Sequence, residues 1–353
     1  MRRALVAIGV AAGIAATSAM AAGCSSSSAG TGGSGGSASP VVLRLGFQTN
    51  ITHAPALIGV AKGFFAKELG KGVKLEITPF STGTEEATAL LSGHLDAAYV
   101  GPNPTLKAWQ TSNGTLIKVI SGAASGGAAL VVKSSIKTPA QLKGQKLATP
   151  SLGNTQDVAL RYWLKQHHLT TSETGGGQVP ITPITPNSAA VLQFKSGQIA
   201  GGWEPAPYDI EMVADGGHVL VDEASLWPKG QFVTTNLVVT SKFLAAHPSA
   251  VTGLLKGQIE ANNYIHSDQA AAEAAANTEL TSLLGKGLKS SVLAAAFQQI
   301  TFTNDPIASS LSTDAQHAVS VGLLKPVSNL PSLYDLGPLN ALLKADGQPQ
   351  VSS

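Results

Sequence analysis

The chain has one cysteine, 5% aromatic residues and 12% charged residues in 353 positions. A single cysteine, Cys24, excludes an internal disulfide. Arginine is scarce: only Arg2, Arg3, Arg44 and Arg161 occur. Removing Arg2 and Arg3 with the first 23 residues leaves 21 basic residues against 21 acidic ones. A neutral chain so poor in arginine has no electrostatic footprint for nucleic acid. Adjacent His167 and His168 point apart on a helix, which is the wrong spacing for a metal pair, so no metal or cofactor is expected.

Long apolar runs are confined to the start. Ala4–Ala16 is unbroken apolar residues and glycine behind Met1-Arg2-Arg3, too short to span a bilayer comfortably. It ends at Ala21-Ala22-Gly23-Cys24, small residues before a cysteine, as at a bacterial lipoprotein cleavage site. The expectation is a signal peptide over 1–23 and a lipidated Cys24. Residues 25–39 are almost wholly Ser, Gly, Ala and Thr, with too little apolar surface to fold. Residues 24–40 therefore read as a tether. The GxSxG and GxGxxG patterns between Gly30 and Gly36 lack the flanking strand and helix that either chemistry needs.

The 330 residues from Cys24 onward are organised around Leu90–Pro104, LLSGHLDAAYVGPNP. A helix ends at Leu91, Gly93 turns the chain, and a short buried strand follows through Tyr99. Pro102 and Pro104 predict a rigid loop at the strand's C-terminal end, where open α/β sheets bind ligands. The pattern returns 104 residues later. Ser196-Gly197-Gln198-Ile199 echoes Ser92-Gly93-His94-Leu95, Trp203 aligns with Tyr99, and Pro205 and Pro207 follow. Two copies predict two α/β lobes that aim strand-end loops at one cleft. Ala129–Ser134 (ALVVKS) and Asn236–Ser241 (NLVVTS) also match, and read as the strands by which the chain leaves lobe one and returns. The expected division is 41–133 with 233–353 as lobe one, and 134–232 as lobe two.

The loop Gln48–Pro55 is rich in amide, hydroxyl and imidazole groups and precedes an apolar helix. Thr52 either binds a polar solute or caps that helix. Gly122–Gly127 is either a close backbone approach for a ligand or a plain turn. Asn154 is an N-cap for the helix from Thr155, with Asp157 as its acidic partner, and the free N–H groups there suit an anion. Pro205 is expected to start a helix running to Ala214. Residues 242–353 read as alanine-rich helices completing lobe one, with nothing catalytic in them.

These residues give the chain a family likeness. GFQTNITHAPALIGVAKGFF, LLSGHLDAAYVGPNP, KTPAQLKGQKLATPSLGNTQD, QFKSGQIAGGWEPAP and LVVTSKFLAAHP come in order over most of residues 42–248. The chain resembles the solute-binding lipoproteins of ABC importers, in the nitrate/taurine/aliphatic-sulfonate branch. The resemblance implies an α/β fold of two lobes, the type II periplasmic-binding-protein arrangement, closing on a small solute and docking on a membrane permease with its ATPase. It implies an extracytoplasmic, lipid-anchored monomer that is not an enzyme. By position it implies a cleft of Gln48, Asn50, Thr52, His53, Asn103, Ser125, Gly126, Asn154, Thr155, Gln156, Trp203 and Glu204. Trp203 is either an apolar wall for the solute or core; Glu204 binds an amine or caps a helix. Ala200 departs from the aspartate that the family's second SGxxD usually keeps, an aspartate expected to serve structure. The implied solute is a small anion or zwitterion, gripped by neutral donors, with His53 as an optional cation. A thiamine-precursor or nitrate binder, a sensor, and an enzyme on the same fold stand as alternatives.

Overall fold

The computed structural model describes residues 40–353. The expected signal peptide, Cys24 and nearly all of the tether lie outside the described residues.

Among the described residues, eleven strands form two sheets. They are β1 (Val41–Gln48), β2 (Val73–Phe80), β3 (Ala97–Val100), β4 (Ile117–Gly126), β5 (Ala128–Lys133), β6 (Leu147–Thr149), β7 (Ile181–Pro183), β8 (Gly201–Pro205), β9 (Gly217–Asp222), β10 (Val233–Thr240) and β11 (Ile300–Phe302). The first sheet has the order β2-β1-β3-β10-β4-β11 and the second β7-β6-β8-β5-β9. In each, the strand that follows a crossing between sheets runs antiparallel to both neighbours: β10 between β3 and β4, β5 between β8 and β9.

The internal repeat is visible in the register. Leu45 faces Ala97 in the first sheet and Leu147 faces Gly201 in the second. Leu237 faces Tyr99, and Leu130 faces Trp203. Asp96 N donates to Arg44 O at 2.9 Å, and Ala200 N donates to Lys146 O at 2.8 Å. The two copies therefore make the same joint. They differ in one side chain. Asp96 accepts from Arg44 Nε and Nη2 at 2.8 and 2.7 Å, and from Arg44 N at 2.9 Å. The second copy has Ala200 beside Lys146 and does without this pair. Asp96 is thus held in structure.

Four expectations are corrected. β5 pairs in the second sheet, so residues 128–133 do not belong with the first. The crossing falls at Gly126 and Gly127, whose φ values of +85° and +77° suit glycine. Pro102-Asn103-Pro104 is not a loop but the first turn of helix Pro102–Thr111. Proline is tolerated there because first-turn N–H groups have no intrahelical acceptor. Gly122–Gly126 continues β4 instead of turning, and Pro205 ends β8, the next helix starting at Tyr208.

Helices Pro248–Ser267 and Gln269–Leu284 bury Leu254, Leu255, Ile259, Ala276 and Leu280 in one cluster with Leu43, Leu45 and Phe47 of β1. Helix Ala308–Ser320 packs Leu311 and Ala315 on the opposite face of the first sheet, with Val100 and Val238. The second sheet has its own two apolar layers, one around Trp203 and Trp163, the other around Val131 and Met212. Each sheet is thus covered on both faces, as parallel strands require.

Candidate solute cleft

The C-terminal ends of β1, β3, β6 and β8 face one another across the two sheets. β1 runs into a 3-10 turn, Ile51–His53, capped by Asn50, whose Oδ1 accepts from Thr52 N at 3.0 Å and Thr52 Oγ1 at 2.7 Å. β6 runs into helix Thr155–Gln166, where Asn154 Oδ1 accepts from Asp157 N at 2.9 Å. Asp157 accepts from Gly153 N and Arg161 Nε, both at 2.8 Å. The buried Arg161 charge is spent on Asp157. Helices Gly83–Leu91, Pro102–Thr111 and Thr155–Gln166 all open at the cleft, so three positive dipole ends converge there.

The cleft is lined by Gln48, Asn50, Thr52, His53, Asn154, Thr155 and Gln156, together with Gly83, Gly101, Pro104, Pro205 and Thr234. Its cavity is about 20 Å³. That holds about one water and is far below the ~300 Å³ of an ordinary small-molecule site. The geometry is that of a closed trap. Across it, Ile51 N donates to Ala206 O at 3.2 Å and Tyr208 Oη to Thr49 O at 3.2 Å; Thr84 Oγ1 and Ser151 Oγ lie 2.9 Å apart. Gly101 makes this approach possible: a Cβ there would sit 2.6 Å from Thr155 Oγ1.

Five expected residues do not line the cavity. Asn103 lies just behind it, 3% exposed, with neither amide atom hydrogen-bonded. Ser125 and Gly126 secure the crossing: Ser125 Oγ accepts from Phe232 N at 3.2 Å, and Gly126 O accepts from Thr234 Oγ1 at 2.6 Å. Trp203 is core, fully buried, 6.4 Å from Trp163 edge-on. It occupies in the second sheet the register position that Tyr99 occupies in the first. Glu204 is fully buried, and neither carboxylate oxygen has a partner, so it caps no helix. Gly83, Gly101, Pro104, Pro205 and Thr234 line the cavity without being among the residues expected there. Thr82-x-x-Glu85 is a capping box that signals the helix start at Gly83; Thr234 sits in an apolar strand and carries no such signal.

Formal charge is absent from the cleft lining. No lysine, arginine, aspartate or glutamate is among the lining residues. His53 is no cation: burial lowers its pKa to about 3, and its Nδ1 accepts from Gln48 N at 3.2 Å. One buried acid is bonded to a lining residue, and a second, Glu204, precedes the lining Pro205 in β8. Glu86 Oε2 accepts from Gln48 Nε2 at 2.8 Å, while Oε1 has no partner. Burial raises the Glu86 carboxyl well above its ordinary range, with Gln48 opposing the shift. Burial raises Glu204 likewise, and Asp209 adds to it.

A family model for NMT1-like proteins matches residues 36–279. The taurine-binding periplasmic protein of Escherichia coli (strain K12) is 27% identical over 230 residues, which are 64% of this chain and 66% of the relative, just under two thirds of its length. The alkanesulfonate-binding protein SsuA from Xanthomonas axonopodis pv. citri, solved with MOPS, superposes with a TM-score of 0.67 at 18% identity, covering 82% of this chain and 96% of that one. The desulfurization enzyme DSZB superposes at 0.60 and 15% identity, covering 87% and 99%. The fold is therefore the two-lobe α/β binding-protein fold, and that fold also carries enzymes. The chain belongs to the NMT1-like family.

Proposed function

We propose that the chain is the extracytoplasmic solute-binding component of an ABC importer, and that its solute is a small zwitterion carrying an amine and an oxyanion. The two sheets, 41–127 with 233–353 and 128–232, act as lobes that hinge at the two crossings and close on the solute. The loaded monomer is delivered to a permease with its ATPase. Cys24, lipidated after loss of residues 1–23, holds it at the membrane surface. Carrying this reading is one observation: helix N-termini and amides line the cleft, no lining residue is a lysine or arginine, and the buried carboxyls of Glu86, bonded to the lining Gln48, and of Glu204, next in sequence to the lining Pro205, keep three of their four oxygens without a partner. Helix starts and amides suit an oxyanion. Glu86 and Glu204 suit an amine, which would offset the cost of burying them. The resemblance to the taurine-binding protein points the same way.

A binding role is favoured over an enzymatic one by the commitments of the polar groups. The His53 Nδ1 acceptor is taken by Gln48 N, so no lining hydroxyl has a free base beside it. Mass spectrometry of solute released from the purified, denatured protein tests the reading. A small amine-bearing oxyanion is expected. A solute without an amine rejects the zwitterion; a covalently altered substrate rejects the binding role. For the anchor, Cys24→Ser is expected to release the protein from membranes or leave the precursor uncleaved; fully processed, membrane-bound protein contradicts it.

A further inference from the structure

Beside the cleft runs a groove of about 720 Å³ that the proposed function does not use. It falls in the size range of small-molecule sites. One wall is helix Pro102–Thr111, which presents Asn103, Lys107 and Gln110 to it. These positions are spaced i, i+4, i+7, one face of a helix. Gln110 pins the chain at Lys325, its Nε2 donating to Lys325 O at 2.7 Å and its Oε1 accepting from Lys325 N at 3.2 Å. That places a second lysine on the same rim. Neither Lys107 nor Lys325 is in an ion pair among the described residues. Glu173 is the one carboxylate among the lining residues, so the groove carries a net positive charge.

The remaining surface is largely apolar, with Leu91, Leu152 and Leu324 among its residues. Leu91 is 37% exposed, a large apolar side chain open to solvent. At the inner end, Asn103 keeps both amide atoms buried and without a hydrogen-bond partner.

We propose that this groove binds a linear amphiphilic monoanion. The anionic head takes the Asn103 amide N–H and the Lys107 and Lys325 charges; the alkyl chain lies along the leucines. Leu152 and Glu173 come from the part of the chain that carries the second sheet, and Lys107 and Leu91 from the part that carries the first. An occupant therefore touches both halves and favours the closed arrangement. This site is distinct from the cleft, and the inference stands or falls separately from the proposed solute.

Octanoate, with acetate and octyltrimethylammonium as controls, is the probe. In titration calorimetry with the mature chain, octanoate is expected to bind and the two controls to bind much more weakly. The exposed double variant Lys107→Ala/Lys325→Ala is expected to weaken octanoate about fivefold, the scale of two solvent-facing charge contacts. Taurine affinity in that variant is expected to stay unchanged. Absence of octanoate binding overturns the proposal. So does equal binding to the double variant, equal binding of the cationic control, or full displacement of octanoate by taurine.

Discussion

Trp203 Nε1 donates to Glu223 Oε2 at 2.6 Å, both residues being buried. At the equivalent register position Tyr99 Oη donates to Gln258 Oε1 at 2.6 Å. Each half thus buries one large aromatic ring at the centre of its sheet and satisfies the ring's polar tip with a buried acceptor. The second half uses an acid where the first uses an amide. Burial, with the neighbouring Asp222 charge, raises the Glu223 pKa from 4.5 to about 8, against the opposing pull of the indole hydrogen bond.

That difference makes stability depend on pH. Between about pH 4.5 and 8 the folded chain holds a proton on Glu223 that the unfolded chain has lost. Stability contributed by this group is full below the lower value and falls as pH rises to the upper one. Glu223→Gln keeps an acceptor for Trp203 and removes the titration. Thermal unfolding is expected to show the variant gaining on the wild type from pH 5 to pH 8. A difference in melting temperature that does not change with pH contradicts this.

Trp203→Ala should act on the core and not on the solute. Truncating a fully buried tryptophan costs about 3–5 kcal/mol. Denaturant unfolding is expected to report that loss, with solute affinity of the folded fraction unchanged. Lost affinity with stability intact would return Trp203 to the cleft wall.

Gly101→Val should separate closure from folding. Gly101 has φ −68° and ψ 161°, a backbone any residue adopts. The added methyls meet Thr155 only when the halves close. Thermal unfolding is expected to change little, and solute affinity to fall at least about fivefold, a modest overpacking cost of ~1–3 kcal/mol placed on the closed state. Unchanged affinity would mean that the cleft does not close on these two residues.

Solute binding should be indifferent to His53 ionisation. Its pKa of about 3 leaves the ring neutral at pH 6 and pH 8 alike. Calorimetry with ethanesulfonate, which has no amine to draw on Glu86 or Glu204, is expected to agree at the two values once buffer protonation is subtracted. Markedly tighter binding at pH 6 would restore the histidine as a cation.

Much of the architecture is legible in the sequence because short-range rules govern it. The SG joint, the matching LVV strands and the Asn154 cap each follow from local spacing and backbone preference, and the structure sets the two LVV strands at equivalent places in its two sheets. What escapes is set by partners distant in sequence. Nothing near residue 128 says that β5 joins β8 and β9, some seventy and ninety residues on. Pro102 reads equally as a loop former and as a helix first turn. Trp203 reads as wall or core until Trp163 and Glu223 are placed around it. Gln48 through His53 and Asn154 through Gln156 meet in space because both loops end strands at one switch point, a topological rule; Thr234 arrives there on a returning strand and has no local mark.

The central claim is that acids behind the cleft select a solute amine. Titration calorimetry with taurine and ethanesulfonate, which differ only in that amine, tests it most directly in wild type, Glu86→Gln and Glu204→Gln. Taurine is expected to bind the wild type at least about tenfold more tightly, the scale of one charge-assisted hydrogen bond, and one of the two variants to abolish the preference while leaving ethanesulfonate affinity in place. Equal affinity of the wild type for both solutes, or tighter binding of ethanesulfonate, would contradict it.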